Sequence, residues 1–261
     1  MENLGAGQAI LEVEAVTKDY RLGRTVIRAL RGVDLTVRRG DFVSIVGPSG
    51  CGKTTLLNII GCIDKPTSGR VFLDGEDVST FDDDKEADTR LAKIGFIFQS
   101  FNLVAVLNIR ENVEFPLILA KVPRAERERR VDRLIELTGL EEFAAHKPDE
   151  LSGGQRQRVA IARALVNGPS VVIADEPTAN LDSATSTTIM EAMKRLNDEE
   201  GVTFIFSTHN ELIERYAKRV LTIMDGAITG ERRGSGAGFR GEGAGAGNAL
   251  GAGASAAEAA T

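Results

Sequence analysis

The chain of 261 residues contains no tryptophan, and it has only two cysteines and two histidines. Cys51, Cys62, His146 and His209 show no metal-ligand spacing and no disulfide framework, which argues against a structural zinc site and a disulfide-rich secreted fold. No apolar run approaches the roughly 18 residues that span a bilayer. The first residues also lack the basic-then-apolar pattern of a secretory signal. The sequence therefore predicts a cytoplasmic protein.

Positive charge is also in short supply. The 32 basic residues are outnumbered by 38 acidic ones, which gives a formal net charge of −6. Such a chain repels nucleic acid, and charge alone does not hold it on an anionic membrane. We therefore expect no nucleic-acid partner and favour a small molecule or another protein.

The residues that are present are typical of a soluble globular protein, with 42% hydrophobic and 27% charged. The length is near the limit for one core, so we expect one mixed domain with a helical subdomain or two small domains. Residues 234–261 differ, because nine are glycine and ten are alanine. They cannot bury enough apolar surface to offset the entropy of ordering, so residues 233–261 are predicted to be a disordered tail. A helix from Ala252 is the alternative, which its glycines disfavour.

Three short apolar runs are typical of buried parallel strands. They are Phe42–Val46, Val171–Ala174 and Val202–Phe206, each followed by a polar turn. The segment Arg124–Leu140 has helical spacing instead. Its apolar face consists of Val131, Leu134, Ile135 and Thr138. Strands and helices that alternate in this way predict an α/β core.

The opening segment has another pattern. Residues 10–37 alternate between apolar and polar, with turn signals at Leu22–Gly23 and Arg31–Gly32. Arg70–Leu73, followed by an Asp-Gly turn, is consistent with a further short strand. These features predict a small antiparallel sheet packed against the core.

A phosphate-binding loop follows the first buried strand. Gly47–Thr54 reads GPSGCGKT, and the helical run Thr55–Ile60 comes directly after it. Glycines let successive amides face a phosphate, Lys53 would neutralise the β- and γ-phosphates, and the Thr54 hydroxyl would bind Mg²⁺. A chance glycine-rich turn is disfavoured because motif and context agree. The predicted nucleotide-binding residues here are Gly47, Pro48, Ser49, Gly50, Cys51, Gly52, Lys53, Thr54 and Thr55.

Two carboxylates stand at the end of the second strand. Asp175 and Glu176 follow Val171–Ala174, at the strand end where ligands of parallel sheets collect. Asp175 is predicted to hold the hydration shell of Mg²⁺, and Glu176 to polarise the attacking water as a general base. The alternative is an acidic turn before Pro177, which the phosphate loop upstream disfavours.

A second glycine-rich element, LSGGQ, spans Leu151–Gln155 and precedes a helix for which Ser152 is the predicted N-cap. Its bare amides form a second anion site, so one chain has more phosphate sites than one nucleotide needs. The consistent solution is two chains facing head to tail, so that LSGGQ of one closes over ATP held by the other. The residues predicted to bind nucleotide in this way are Ser152, Gly153, Gly154 and Gln155.

With a phosphate loop upstream and the Asp-Glu pair downstream of LSGGQ, residues 10–232 resemble the ATP-binding cassette (ABC) ATPases. The resemblance implies an α/β P-loop NTPase core with a parallel sheet, a small antiparallel β subdomain and an inserted α-helical subdomain at about residues 101–165. It implies ATP hydrolysis with Mg²⁺, a homodimer and an integral membrane permease subunit. It also implies a peripheral location on the cytoplasmic face of the inner (plasma) membrane.

The resemblance assigns four further residues by their motifs. Tyr20 is similar to the aromatic residue that stacks on adenine, and Gln99, in FIFQSFNL, to the glutamine that touches Mg²⁺ and the attacking water. Asp182, in ANLD, is similar to the aspartate that links the two active sites. His209 is similar to the histidine that contacts the γ-phosphate.

Four sequence segments narrow the resemblance to one group within the ABC ATPases. The segments GCIDKPTSG, FIFQSFNL, ENVEFPL and LSGGQRQRVAIARAL are similar to ATPases of the lipoprotein-releasing and macrolide-exporter group. Cell-division relatives of that group leave open an alternative, mechanical signalling without cargo transport. A DNA-maintenance ATPase fits less well, because only about 50 residues separate Gln99 from Leu151 and the net charge is negative.

Overall fold

The computed structural model describes residues 9–236 of the chain. Most of the predicted tail, and the alternative helix from Ala252, therefore lie outside the described residues. The boundaries predicted for the ATPase domain and its helical subdomain stay predictions. Among the described residues, none of the helices is long and apolar enough to cross a membrane.

The described residues form ten strands, seven α-helices and three short 3₁₀ turns. In chain order the strands and helices are β1 (Ala9–Leu22), β2 (Thr25–Arg38), β3 (Phe42–Val46), α1 (Lys53–Ile60), β4 (Ser68–Leu73), β5 (Glu76–Asp77), α2 (Asp83–Lys93), β6 (Ile94–Ile97), α3 (Ile109–Leu119), α4 (Arg124–Leu137), α5 (Gly153–Leu165), β7 (Val171–Asp175), α6 (Ser183–Glu200), β8 (Phe204–Thr208), α7 (Glu211–Glu214), β9 (Arg219–Met224) and β10 (Ala227–Arg233).

The central sheet has six strands in the order β10-β9-β3-β8-β7-β6, and all neighbours except β10 and β9 are parallel. Side chains of β3 and β8 alternate between two cores. Phe42 packs on Phe204 and Phe206 on one face, with ring centroids 5.4 and 5.1 Å apart. Val43 and Ile205 point to the other face. Since both faces are covered, continuous apolar runs form these strands.

The three predicted parallel strands are present, although the last begins two residues later than predicted. Val202 belongs to the turn that closes α6, because its N–H donates to the Leu196 carbonyl (3.3 Å). The strand β8 therefore starts at Phe204 and runs to Thr208, which leaves His209 as the first residue beyond it.

The predicted antiparallel sheet is also present, in the order β2-β1-β4-β5. The turn at Gly23 joins β1 to β2, as predicted. The prediction of a second turn at Arg31–Gly32 is wrong, because β2 continues through these residues. Gly32 lies inside β2 with φ +83°, and the pairing register shifts there, since Val16 faces Val33 and Thr17 faces Arg31. The positive φ forms a β-bulge rather than ending the strand.

Helices α3, α4 and α5 lie between β6 and β7 in the chain. The predicted apolar face of α4 is buried at Val131, Leu134 and Ile135. The helix ends at Leu137, three residues earlier than predicted, because Gly139 takes φ +64° and the Leu140 N–H turns back to the Ile135 carbonyl (2.9 Å). The helix α5 starts where the Ser152 cap was predicted.

Candidate active site

A cleft of about 680 Å³ opens at the carboxyl ends of β3, β7 and β8. It collects residues from β2, the phosphate loop, the acidic pair and the β9–β10 turn, which are far apart in sequence. The lining residues are Ile27, Arg28, Ala29, Arg31, Ser49, Gly50, Gly52, Lys53, Thr54, Thr55, Gln99, Asp175, Glu176, His209, Asp225 and Gly226. Parallel strands end at one edge of their sheet, so motifs placed after them meet there.

The phosphate loop forms the floor of this cleft, and close packing requires its glycines. A Cβ on Gly47 would lie 2.2 Å from the Ile223 carbonyl oxygen, and one on Gly52 would lie 2.8 Å from that of Ala29. Neither backbone oxygen can move away without shifting its strand, which is β9 for Ile223 and β2 for Ala29. Of the predicted loop residues, Gly47, Pro48 and Cys51 do not line the cleft.

The positive groups of the loop come from Lys53 and from the helix that it begins. The Lys53 ammonium is largely buried and donates to the carbonyls of Gly47 (2.8 Å) and Pro48 (3.0 Å). The first turn of α1 contains no acidic residue. Its free amides and positive dipole end therefore favour an anion in the cleft.

Asp175 is held from two sides. The Thr54 hydroxyl donates to its Oδ2 (3.1 Å), and the buried Ser207 hydroxyl donates to its Oδ1 (2.6 Å). Gln99 lines the same cleft, and its backbone carbonyl accepts a hydrogen bond from Asn180 Nδ2 (2.9 Å). Hydroxyl, carboxylate and amide oxygens are the ligands that Mg²⁺ prefers. The residues present therefore fit a magnesium ion completed by phosphate and water.

Glu176 lies beside His209, with 2.7 Å between Glu176 Oε2 and His209 Nδ1. The backbone of Glu176 is left-handed, with φ +49°, a conformation that non-glycine residues rarely adopt. Its N–H donates to the Ser207 hydroxyl (3.0 Å), which holds the residue there. A carboxylate held in this way can orient a water molecule and accept its proton.

The LSGGQ residues lie elsewhere. Ser152 and Gln155 form a capping box at the start of α5, with Ser152 N to Gln155 Oε1 at 2.8 Å. Gly154 packs on the start of α6, where a Cβ would meet Thr185 Cγ2 at 2.5 Å. In the described part of the chain, the cleft has no lining residue from this element. One chain thus separates the predicted nucleotide-binding residues into two places.

Asp182 and Tyr20 also lie away from the lining of the cleft. Asp182 caps α6 by accepting from Thr185 N (2.9 Å) and Thr185 Oγ1 (2.6 Å), and these hydrogen bonds lower the pKa of its carboxyl. Tyr20 pairs with Ile27, which does line the cleft. The Tyr20 hydroxyl donates to Asp64 (2.7 Å), and partial burial together with this contact raises the pKa of Tyr20.

Sequence reasoning missed Ser207, although a signal was present. It is a small polar residue inside the apolar strand β8, two positions before His209, and it is fully buried. Arg28, Arg31 and Asp225 were also missed as cleft residues. Their side chains belong to β2 and the β9–β10 turn, and no local motif marks them.

Residues 30–179 match the family model described as ABC transporter. The chain belongs to the ABC transporter family. MJ0796 of Methanocaldococcus jannaschii, an uncharacterized ABC transporter ATP-binding protein, is 47% identical over 228 residues, which are 86% of this chain and 97% of MJ0796. The macrolide export ATP-binding/permease protein MacB of Syntrophobacter fumaroxidans is 48% identical over 224 residues, which are 85% of this chain but 31% of that longer protein.

The fold is similar to that of a solved ABC cassette. A dimeric, post-hydrolysis structure of MJ0796 bound to ADP and Pi has a TM-score of 0.79 and 46% identity, covering 88% of this chain and 100% of MJ0796. The predicted family, the P-loop NTPase fold and ATP hydrolysis are confirmed. This protein is therefore the ATP-binding, ATP-hydrolysing cassette of an ABC transporter.

Proposed function

We propose that this ABC ATPase works with Mg²⁺ as a head-to-tail homodimer, which drives an integral membrane permease of the lipoprotein-release or macrolide-export type. The observation that carries the proposal is the separation of LSGGQ from the cleft of its own chain. The first turn of α5 has no acidic residue, so its amides are suited to an anion. A second copy places this helix end over ATP in the facing cleft. The dimeric structure of MJ0796 supports this arrangement.

Several of the predicted residues then have separate roles within one copy. Lys53 and the start of α1 hold the phosphates, and Tyr20 stacks on the adenine. Thr54, Gln99 and Asp175 would hold Mg²⁺, which would neutralise phosphate oxygens. Glu176 orients the attacking water and takes its proton as the oxygen adds to the γ-phosphorus and ADP leaves. His209, held by Glu176, contacts the γ-phosphate.

The elements from the partner copy complete the site. Ser152, Gly153 and Gly154 would donate to the γ-phosphate, and Asp182 would connect the two sites. Removing one preorganised donor near developing charge typically costs about 10²–10³ in rate. A single copy lacks several of these donors, so closure of the dimer controls hydrolysis.

An exposed apolar patch supports a permease partner. It lies on the loop after Gln99 and on α3. Hydrogen bonds between Asn112, on α3, and Val104, in the loop, join these two elements. The patch consists of Val104, Val106, Phe115, Ile118 and Leu119, and Val106 is 77% exposed. Such a surface is suited to a protein partner. We propose that it binds a cytoplasmic segment of the permease, which places the ATPase on the cytoplasmic face of the inner membrane.

The test traps the dimer. The Glu176→Gln variant keeps the phosphate contacts but lacks the base, so it should bind ATP and elute from gel filtration as a dimer. Lys53→Ala in the same background should bind ATP weakly and stay monomeric. Ser152→Asp in that background retains a good N-cap but places a negative charge toward the facing phosphate. It should stay monomeric although loaded with ATP.

Two results would contradict the proposal. One is a Glu176→Gln protein that remains monomeric while equilibrium binding shows it saturated with ATP. The other is a Ser152→Asp/Glu176→Gln protein that dimerises as readily as Glu176→Gln alone, because LSGGQ would then have no part in the interface.

A further inference from the structure

The loop that follows Gln99 contains two consecutive left-handed residues. Phe101 has φ +61° and Asn102 has φ +49°. Asparagine tolerates this conformation, whereas for a bulky residue such as phenylalanine it is a genuine outlier. Conformations of this kind persist only where surrounding contacts fix them. The contacts that fix this turn therefore also fix the path of the chain leaving Gln99.

Those contacts come from the helix that begins with LSGGQ. Arg163, on α5, donates from Nη2 to the Phe101 carbonyl (2.8 Å) and from Nη1 to the Asn102 carbonyl (2.5 Å). One planar guanidinium thus binds both carbonyls of the strained pair, a geometry that lysine cannot reproduce. Two helical turns earlier, the Arg156 guanidinium lies 5.4 Å from the centroid of the Phe101 ring. Two of the three arginines of α5, Arg156 and Arg163, therefore contact the same turn.

Among the residues that the structure describes, Arg163 has no other partner that would explain its position. It takes part in none of the ion pairs found among residues 9–236. Burial lowers the pKa of its guanidinium. A half-buried cation without a carboxylate is costly, and the two carbonyls offset that cost. Its contacts are therefore committed to the loop of Gln99.

The other end of the loop is fixed as well. Asn180, which lies two residues before Asp182, donates to the Gln99 carbonyl (2.9 Å). The segment 99–102 thus lies between α5 and the loop that leads into α6. Movement of α5 must be passed to this segment, because hydrogen bonds to main-chain carbonyls leave little freedom between them.

We propose that Arg163 is a positioning residue for Gln99. Its guanidinium clamps the Phe101–Asn102 turn to the LSGGQ helix. The inference rests on the proposed dimer in one respect. LSGGQ serves the ATP of the facing copy while Gln99 serves the ATP of its own, so the clamp links the two sites through one rigid helix. Closure over one nucleotide then places Gln99 at the other.

The first test needs neither ATP nor a dimer. Arg163→Met keeps the apolar stem and removes both donors, so the amides of residues 99–108 should exchange with deuterium at least fivefold faster in the nucleotide-free protein. Arg158→Met is the matched control. Arg158 lies on the same helix but lines a separate cleft beside α6. It should leave exchange at residues 99–108 unchanged.

The second test is catalytic. Arg163→Met should lower kcat about tenfold, since misplacing a group by about 1 Å is enough for such losses, while the Kd of the monomer for ATP changes less than twofold. Arg163→Lys, with a single donor group, should recover part of both exchange protection and kcat. In the Glu176→Gln background, Arg163→Met should still dimerise with ATP, because LSGGQ is intact.

The outcomes separate the clamp from the dimer. Unchanged exchange at residues 99–108 in Arg163→Met, or an equal loss of kcat in Arg158→Met, would overturn the clamp whatever the oligomeric state. Fast exchange combined with an ATP-loaded Glu176→Gln protein that stays monomeric would support the clamp and refute the dimer. If Arg163→Met fails to fold, Arg163→Lys becomes the test of the clamp. An Arg163→Lys protein with the same exchange rates and the same kcat as the wild type would overturn the clamp.

Discussion

Ser207 joins the two carboxylates of the candidate active site, and its removal should show how much they depend on it. Its hydroxyl donates to Asp175 Oδ1 (2.6 Å) and accepts from the Glu176 N–H (3.0 Å). Ser207→Ala deletes only this oxygen and leaves almost no cavity. A hydrogen bond to a charged group contributes about 1.5–3 kcal/mol, and an unpaired buried N–H costs about 1–3 kcal/mol. Together these give about 2.5–6 kcal/mol, and because Asp175 faces the open cleft we expect a loss in the free energy of unfolding near the lower end of that range.

Catalysis should suffer as well as stability. Without the hydroxyl, Asp175 and the left-handed Glu176 lose a shared anchor, so both carboxylates shift relative to the phosphate loop. A displacement of about 1 Å can cost about 10² in rate, and we expect kcat to fall by about that factor. The assay is steady-state phosphate release, corrected for the folded fraction. Unfolding in urea is followed by circular dichroism, since the chain has no tryptophan to report it.

Ser44→Ala is the matched control, because Ser44 lies on the neighbouring strand β3 and is equally buried. Within residues 9–236 its hydroxyl finds no hydrogen-bond partner. Deleting an unpaired buried hydroxyl should leave stability unchanged or raise it. If Ser207→Ala matched Ser44→Ala in urea midpoint and retained wild-type turnover, the anchoring role of Ser207 would be refuted.

Two further predictions concern packing and thiol chemistry. A Cβ on Gly95 would lie 2.3 Å from the Ala164 carbonyl oxygen, so Gly95→Ala should cost about 1–3 kcal/mol in urea unfolding. Gly230→Ala, which meets nothing within 4 Å, should leave the midpoint unchanged, and equal midpoints would contradict the reasoning. Burial and the nearby Glu86 carboxylate raise the pKa of Cys62 to about 11. At pH 8 only about one thiol in 10³ is ionised, so mass spectrometry should find Cys62 alkylated slowly in native protein, faster as pH rises toward 11, and rapidly in urea.

The sequence could predict the part of the site that is built from contiguous motifs. The phosphate loop and the acidic pair each follow a buried apolar strand, and parallel strands bring their carboxyl ends to one edge. These two facts are enough to predict that four residues lie in one cleft, namely Lys53, Thr54, Asp175 and Glu176. The same reasoning failed at Gly32, because a glycine with positive φ serves a bulge as well as a turn.

The remaining contacts depend on groups that a sequence does not distinguish. Arg163 binds the carbonyls of Phe101 and Asn102, and Asn180 binds that of Gln99. Every residue has a carbonyl, so no residue type marks these acceptors, and the partners lie about 60 and 80 positions apart. Only the donor side is visible in the sequence. Substitutions at Arg163 should therefore alter the Gln99 loop, whereas at Asn102 the backbone conformation matters more than the side chain.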